Sequence, residues 1–314
     1  MSFLKIAPGA EVKLPGRGSR PDQVHVFEQK MIDAVDAAIA AQRPLLVRGE
    51  PGIGKSQLAR AAAKQLGRMF VGRVVDARTE STDLLWHYDA VARLADAQLA
   101  GALARTGRQQ RERRQERERL SVRNYLHPGP LWWAFDWTDA REQAARVGRA
   151  EPPQDAKPDS EDGPDPTNGS VVLVDEIDKA EAEVPNGLLE ALGNGEFPVP
   201  GRAQPVVARE ETPPPLVIIT TNNERALPDA FLRRCLVLRL RLPDDTPKAL
   251  SDFLVDRGRH HFPNARDEVL LAAAERLAKE RAEARENREL PLPGQAEFLD
   301  LLRAALTLAR DDPD

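Results

Sequence analysis

The sequence has little of the chemistry that builds disulfides or metal centres. It contains one cysteine, Cys235, so no disulfide can form within the chain, which fits a reducing compartment. We expect this thiol to be a small buried group rather than a nucleophile. The five histidines show no spacing typical of metal ligands, so no zinc site is expected.

Long apolar runs and an excess of positive charge are also lacking. No stretch approaches the roughly 18 apolar residues that span a bilayer, and residues 1–18 lack the apolar core of a signal peptide. The formal net charge of -5 argues against a general nucleic-acid binder, whose domain would usually be basic. These absences predict a cytoplasmic protein that does not insert into membranes.

Apolar runs alternate with helical patterns along most of the chain. Predicted strands lie at 45–47, 69–75, 171–176, 216–223 and, as an edge strand, 236–242. Predicted helices lie at 24–41, 57–66, 83–98 and 182–193, and the pattern is all-helical after Pro243. The alternation predicts an α/β fold, with a parallel sheet covered by helices on both faces and followed by a small helical domain.

Other segments show little periodicity. We predict a flexible N-terminal arm at residues 1–20 and a flexible acidic loop at 150–169. We predict a hairpin or loop at 195–213. The charge run at 108–120 predicts a solvated helix or disorder, with a polyanion or partner contact as the alternative.

Four aromatic residues form a further dense cluster: Trp132, Trp133, Phe135 and Trp137. We expect this cluster to pack a helix against the core, with an exposed partner anchor as the alternative.

The sequence GEPGIGKS at 49–56 matches the pattern G-x-x-x-x-G-K-[ST], between a predicted strand and a predicted helix. Glycines let backbone amides turn inward toward a phosphate, and the helix N-terminus favours an anion. Lys55 would reach the β- and γ-phosphates, and Ser56 would hold Mg²⁺. The predicted nucleotide contacts are Gly49, Glu50, Pro51, Gly52, Ile53, Gly54, Lys55, Ser56 and Gln57.

Two adjacent carboxylates, Asp175 and Glu176, follow the apolar run at 171–174. Such a pair at the end of a buried strand is costly unless a cation or solvent accommodates it. We expect Asp175 to bind Mg²⁺, through water, and Glu176 to polarise the attacking water. The alternative is an acidic cluster that stabilises the start of the next helix.

Asn222 ends the last strongly apolar strand. Its amide could hold the water between Glu176 and the γ-phosphate, with Thr220, Thr221 and Asn223 as neighbouring candidates. A turn asparagine without a catalytic role is the alternative.

Arg233 and Arg234 follow on a short helix, which we expect close to the nucleotide edge of the sheet. An arginine supplied to a neighbour's γ-phosphate raises the rate of hydrolysis by orders of magnitude. A structural or surface arginine pair is the alternative.

The order of the glycine-rich loop, VVLVDE, TTN and LPDAFLRRC resembles the AAA+ ATPases, and within them the MoxR branch. The segments that carry the finer resemblance lie at 79–98, 125–135, 174–192 and 220–235. The resemblance implies ATP and Mg²⁺ as cofactors and hexameric rings with nucleotide at the subunit interfaces. It also implies Asn222 as sensor 1 and Arg234 as the arginine finger, with Arg233 as its competitor.

Members of that branch remodel proteins beside a partner that carries a von Willebrand factor A domain. The resemblance predicts a nucleotide-binding AAA+ domain at 21–242, with a pore-facing insert at about 86–127, and a helical lid domain at 243–314. The stretch at 290–306 departs from the family because Gly294 and Gln295 stand where a sensor 2 arginine is usual. Arg288 lies just upstream and could replace it, so this role stays unassigned.

Three functions fit these features. A motor that remodels a protein partner is the leading hypothesis. A nucleic-acid-coupled motor is suggested by the arginines at 105–119, although interleaved glutamates weaken it. The third is a nucleotide switch that binds ATP and assembles with little turnover.

Overall fold

A computed structural model describes residues 2–16, 22–102, 110–148 and 164–311. Most of the predicted acidic loop at 150–169 lies outside these ranges, as do residues 17–20 of the predicted arm and 108–109 of the charge run.

The strands of the described residues are mostly short. They are β1 (Glu11–Leu14), β2 (Gln23–Val26), β3 (Leu45–Arg48), β4 (Met69–Val74), β5 (Trp86–Tyr88), β6 (Leu126–Pro128), β7 (Ser170–Asp175), β8 (Glu196–Phe197), β9 (Val206–Val207), β10 (Leu216–Thr221) and β11 (Leu236–Arg239).

The α-helices cluster between the strands and at the C-terminal end. They are α1 (Gln29–Ala41), α2 (Lys55–Leu66), α3 (Ala90–Ala102), α4 (Gln110–Arg119), α5 (Pro130–Phe135), α6 (Trp137–Arg146), α7 (Glu183–Asn194), α8 (Asp229–Arg234), α9 (Pro247–His261), α10 (Asp267–Glu286) and α11 (Gln295–Asp311). No helix within the described ranges is long and apolar enough to cross a bilayer.

Five strands form one sheet in the order β11-β3-β10-β7-β4, and each neighbouring pair is parallel. The carboxyl ends of parallel strands meet at one edge, where such sheets bind ligands. At that edge β3 leads into the glycine-rich loop, β7 ends with Asp175, and β10 leads into Asn222. The sheet thereby gathers side chains that are far apart in sequence. As predicted, β11 is an edge strand, although it ends at Arg239.

Helices cover both faces of this sheet. Successive strand residues point to opposite faces. Leu45 and Val47 accordingly lie in a core with α1, α2 and the C-terminal helices, while Leu46 lies in a second core with α5, α6 and α7. Burial on both faces explains why the strands are continuous apolar runs. The predicted α/β fold with a P-loop-type parallel sheet and C-terminal helices is confirmed.

The aromatic cluster belongs to the second core. Trp132 and Trp133 are 0% and 2% exposed. The Trp132 indole Nε1 donates to Asp139 Oδ2 at 2.7 Å, and the rings of Trp133 and Trp137 meet edge to face at 4.9 Å between centroids. The cluster therefore packs α5 and α6 against the sheet, as expected, rather than serving as an exposed anchor.

The prediction of a flexible arm at 1–20 is wrong for residues 2–16. β1 pairs antiparallel with β2, and Leu4, Val12 and Leu14 lie in the first core. The amides of Phe3 and Leu4 donate to Asp36 Oδ1 of α1 at 3.0 and 2.9 Å. Short strands are stabilised by their partners rather than by their own propensity, so local periodicity did not indicate this one.

Two predicted helices are shorter than expected. The helix predicted from Val24 begins at Gln29, because Gln23–Val26 forms β2. The helix predicted at 83–98 is interrupted by a 3₁₀ turn and by β5, so α3 begins at Ala90. Short apolar spacings fit a strand and a helix equally well, and here strand pairing decided the outcome.

Two further local predictions agree with the structure. β8 and β9 pair antiparallel, so the segment at 195–213 contains a hairpin. The described part of the charge run is helix α4, and the described side chains in it are exposed or half-buried.

We predict that Leu4→Ala lowers the free energy of unfolding by about 3 kcal/mol, the usual cost of truncating a fully buried leucine. Phe3→Ala is the matched control, because Phe3 is 48% exposed and should change stability by less than about 1 kcal/mol. Urea unfolding followed by tryptophan fluorescence would measure both. Equal, small losses would show that the segment before β1 is not part of the core.

Candidate active site

The loop between β3 and α2 is shaped by glycines with left-handed backbone. Gly52 and Gly54 have φ angles of 74° and 91°, which most other residues adopt only with strain. Gly54 is the N-cap of α2, and no described side chain caps that helix. The first amide groups of α2 therefore lack a side-chain acceptor, and the helix dipole favours an anion in front of them.

The ammonium group of Lys55 lies in the centre of this loop. Lys55 is 6% exposed, and its Nζ donates to Gly49 O at 2.9 Å, Glu50 O at 2.8 Å and Asn222 Oδ1 at 2.7 Å. Burial lowers the pKa of Lys55, while the surrounding carboxylates, of which Asp175 acts most strongly, oppose that shift. The loop thus holds a cation against neutral oxygen acceptors that an anion could replace.

Asp175 joins two hydroxyl groups from different elements. Ser56 Oγ lies 2.8 and 2.9 Å from the two carboxylate oxygens of Asp175. Thr220 Oγ1 of β10 donates to Asp175 Oδ1 at 2.5 Å. These contacts tie the N-terminus of α2 to the ends of β7 and β10.

Glu176 has an unusual backbone for a residue with a side chain. Its φ and ψ are 61° and 46°, and its amide donates to Thr220 Oγ1 at 2.9 Å. Its carboxylate accepts a hydrogen bond from Lys179 Nζ at 2.6 Å, and Asn222 Nδ2 lies 3.5 Å from its other oxygen. Left-handed backbone at a non-glycine residue costs about 1 kcal/mol or more, so the surroundings must hold it in place.

Asn222 contacts two of the predicted site residues at once. Its amide oxygen accepts from Lys55, and its amide nitrogen lies beside Glu176. Asp178, 2% exposed, fixes the turn that positions it, because Asp178 Oδ2 accepts from the amides of Asn222 at 3.2 Å and Glu224 at 2.9 Å. The end of β10 is therefore held by the segment that follows β7.

The donor set fits a metal–nucleotide complex. The Ser56 hydroxyl and the Asp175 carboxylate offer adjacent oxygens, the ligand type that Mg²⁺ prefers. The amides at the N-terminus of α2 and the Lys55 ammonium suit a polyphosphate in front of them.

The C-terminal helices reach the same loop. Arg281 of α10 is 2% exposed, and its Nη2 lies 2.8 Å from both carboxylate oxygens of Glu50 and 2.8 Å from Asp244 Oδ2. Burial acts to lower the pKa of Arg281, but hydrogen bonds to Glu50 and Asp244 outweigh it and raise that pKa. Burial likewise acts to raise the pKa of Asp244, yet the bonds from Arg281 and Arg285 lower it.

A cleft borders the other side of the loop. Its lining includes His25, Ile53, Gln57, Phe253 and His261. His25 is 5% exposed, packs edge-on to Phe27, and makes no Nε2 hydrogen bond to a described residue. Burial, assisted by the charge of Arg257, lowers the pKa of His25 to about 3 and that of His261 to about 4. Both rings are therefore neutral at pH 7.

Arg233 and Arg234 lie on α8 as predicted, but not at the nucleotide edge of their own chain. β11 follows them in parallel with β3, and Leu236 is level with Leu45 at the amino end of that strand. Their side chains are exposed, and the backbone that follows them lies level with the start of β3, about 13 Å or four strand residues before the glycine-rich loop. The predicted position at the nucleotide edge is wrong, because β11, which follows the two arginines, runs from their end of the sheet toward the loop.

Several residues at the site were not singled out from the sequence. Lys179 could have been noticed, since it follows Glu176 by one 3₁₀ turn. Arg281 gave no such signal, because it stands in a charged helix and meets Glu50 across 231 residues of sequence. His25 was assigned to a helix rather than to a strand beside the loop.

A model of the AAA domain, dynein-related subfamily, matches residues 44–235, which is more than half of the chain. No protein with a curated description matches.

Solved structures are similar at low identity. A candidate ATPase from Cytophaga hutchinsonii has 13% identity and a TM-score of 0.37; the match covers 81% of this chain and 63% of that one. This chain therefore spans less than two thirds of that relative. Two variants of Thermotoga maritima RuvB each have 14% identity, with TM-scores of 0.36 and 0.38. These matches cover 88% and 89% of this chain and 67% and 69% of the RuvB chains.

We predict that the free energy of unfolding decreases as the pH is lowered below 6.5, in part because of His25. Its folded pKa of about 3 lies below its unfolded value of 6.5, so the unfolded state binds more protons in that window. The contribution of neutral His25 to the free energy of unfolding is therefore largely present above pH 6.5. It should decrease by about 1.4 kcal/mol when the pH is lowered from 8 to 5.5.

Urea unfolding of the wild type and His25→Gln at these two pH values measures this difference. The variant should lose about 1.4 kcal/mol of the pH dependence, and adding His261→Gln should remove a further share. An unchanged pH dependence in His25→Gln would contradict the assignment.

Proposed function

This chain belongs to the dynein-related subfamily of AAA domains, and on that premise we propose that it is a Mg²⁺-dependent ATPase of the MoxR type, working in an oligomeric ring. The observation that carries the proposal is one network at the sheet edge. In it Lys55 binds Asn222, Ser56 binds Asp175, and Asn222 lies beside Glu176.

Residues 49–57 would hold the phosphates of ATP. The uncapped amides of α2 would point at them, and Lys55 would exchange its contacts with Gly49 and Glu50 for phosphate oxygens. Ser56 and Asp175 would hold Mg²⁺, which supplies positive charge against the phosphate oxygens. Thr220 already orients Asp175 for that purpose.

Glu176 is the proposed group that orients and polarises the attacking water, and Asn222 would hold that water from the other side. Asn222 binds Lys55, which marks the proposed γ-phosphate position, and Glu176 lies 3.5 Å from the other end of the Asn222 amide. The bond from Lys179 engages one oxygen of the Glu176 carboxylate, Oε2, and Oε1, which lies beside Asn222, would act on water.

Arg234 would act on a neighbouring subunit. Since the arginines of α8 lie at the opposite end of β3 from their own loop, neither can serve the nucleotide of its own chain in this arrangement. Their exposure suits a contact with the next subunit of a ring, and hexamers are the proposed assembly. The family resemblance favours Arg234 over Arg233.

The proposed task is the remodelling of a protein partner, one that carries a von Willebrand factor A domain. Support comes from the insert at about 86–127, which β5 and β6 close as an antiparallel pair. Its helix α3 has no buried residue and exposes Val91, Leu94 and Leu99. Apolar side chains on an exposed helix suit contact with a protein. We also propose the domain boundaries 21–242 and 243–314.

A nucleotide switch with little turnover is the second candidate. The observation that favours it is the hydrogen bond between Lys179 and Glu176, which engages one oxygen of the proposed catalytic carboxylate. A nucleic-acid-coupled motor is less well supported, since α4 alternates glutamate with arginine and would present both charges to a phosphate backbone.

We predict that Glu176→Gln and Arg234→Ala each lower the rate of ATP hydrolysis by about 10³-fold or more. Mixing the two inactive variants should restore part of the activity, because some interfaces then combine an intact Glu176 with an intact Arg234. Steady-state phosphate release at several protein concentrations measures this, and the specific activity of the wild type should rise with concentration.

Arg233→Ala is the matched control for the arginine assignment. If Arg233→Ala abolishes activity and Arg234→Ala does not, the two roles are reversed. If neither matters and activity is independent of concentration, the ring proposal fails and the switch is favoured.

A further inference from the structure

Arg281 is, together with Asp178, the most deeply buried charged side chain among the described residues, although it lies on a helix rich in charge. Only 2% of it is exposed, whereas the basic residues Arg276 and Lys279 of the same helix are largely exposed. Removing an arginine from water is unfavourable unless its donors and its charge are satisfied. The contacts of Arg281 therefore indicate which structural role its burial has.

The guanidinium joins three separate parts of the chain. Its Nη2 binds both carboxylate oxygens of Glu50 in the loop after β3, at 2.8 Å each. Its Nε and Nη2 bind Asp244, just after β11, at 3.1 and 2.8 Å. Its Nη1 donates to the carbonyl of Pro293, just before α11, at 2.8 Å. Arg285, one turn further along α10, also binds Asp244.

Glu50 is held from two sides. Its backbone carbonyl accepts from Lys55 Nζ at 2.8 Å, and its carboxylate is bound by Arg281. Glu50 thus connects the Lys55 ammonium at the centre of the loop with the Arg281 guanidinium on α10. A change in the position of Lys55 would alter the backbone of Glu50, and with it the carboxylate that Arg281 binds.

A second contact brings the glycine-rich loop close to the C-terminal helices. A Cβ atom added at Gly52 would lie 2.5 Å from Ala296 Cβ of α11. The loop and the start of α11 therefore touch, and the Pro293 carbonyl bound by Arg281 lies just before that contact. Arg281 thus holds the chain three residues before the position at which α11 meets the loop.

We propose that Arg281 is a positioning residue that, with Glu50 and Asp244, forms an ionic latch between the glycine-rich loop and the C-terminal helices. The latch sets the loop for ligand and transmits loop movement to α10 and α11. It rests on the proposed function only in that the ligand is a nucleotide. Its direct consequence, mutual ordering of loop and helices, does not require hydrolysis.

The cleanest way to open the latch is Glu50→Gln. Glu50 is half-exposed, and its loss leaves Arg281 paired with Asp244, so no buried charge is left uncompensated. Replacing Arg281 would instead leave two carboxylates without their shared cation. Arg281→Lys keeps the charge, but its single ammonium nitrogen replaces donors that the guanidinium spreads over three nitrogens, so it does not reproduce the contacts with Glu50, Asp244 and Pro293.

Amide hydrogen exchange without nucleotide is the first test, since it reports local opening directly. Glu50→Gln and Arg281→Lys should each speed exchange in the loop at 49–57 and in the segment at 290–298. The double variant should exchange little faster than either single variant, because both remove one interaction. Glu280→Gln, which breaks an exposed ion pair on the same helix, is the control and should leave both segments unchanged.

Binding of a fluorescent ADP analogue is the second test. Glu50→Gln should weaken it about five- to tenfold, within the range expected for the net contribution of one typical hydrogen bond. The midpoint of thermal unfolding should stay near that of the wild type, which separates a positioned loop from general loosening.

The two tests distinguish the latch from the nucleotide proposal. Unchanged exchange at 49–57 and 290–298 in Glu50→Gln would overturn the latch, whatever the nucleotide result. Faster exchange in those segments supports the latch even if the wild type binds no nucleotide, and in that case the proposed ATPase function fails by itself.

Discussion

The hydrogen bonds of Asp175 hold the candidate site together. Ser56 reaches its carboxylate from the helix after β3, and Thr220 reaches it from β10. Thr220 also accepts from the amide of Glu176, so the same hydroxyl fixes the residue next to Asp175. Without these bonds, two adjacent carboxylates at the end of a buried strand would lack hydrogen-bond donors and would repel each other. The hydroxyls instead hold one of them in place for a cation.

Around this centre the charges alternate from the sheet toward the C-terminal helices. The carboxylates of Asp175 and Glu176 face Lys55, which binds the backbone of Glu50, whose carboxylate binds Arg281. In turn, Arg281 binds Asp244, to which Arg285 also donates. An added polyphosphate would compete for Lys55 at the middle of this series. Its effect would therefore extend to both ends, the carboxylates of Asp175 and Glu176 on one side and the C-terminal helices on the other.

The same geometry explains why one chain is an incomplete enzyme under the proposed function. Phosphate-binding and water-activating groups meet at the carboxyl edge of the sheet, but Arg233 and Arg234 lie at its amino edge. A parallel sheet cannot bring both ends of β3 to one ligand. A second copy can, because Arg233 and Arg234 are exposed and could face the first copy's loop, and this geometric constraint is what favours an oligomer under the proposed function.

Local sequence alone determined most of the residues of the candidate nucleotide site. The motif at 49–56, the apolar run that ends with Asp175 and Glu176, and Asn222 after its strand follow from local pattern, because strand burial and glycine conformation are local constraints. Tertiary structure decided the rest. Leu4 and β1 joined the fold through strand pairing, Arg234 moved to the far edge because of the direction of β11, and Arg281 met Glu50 across 231 residues. Such contacts depend on which elements pack together, and nothing in the spacing of neighbouring residues encodes that.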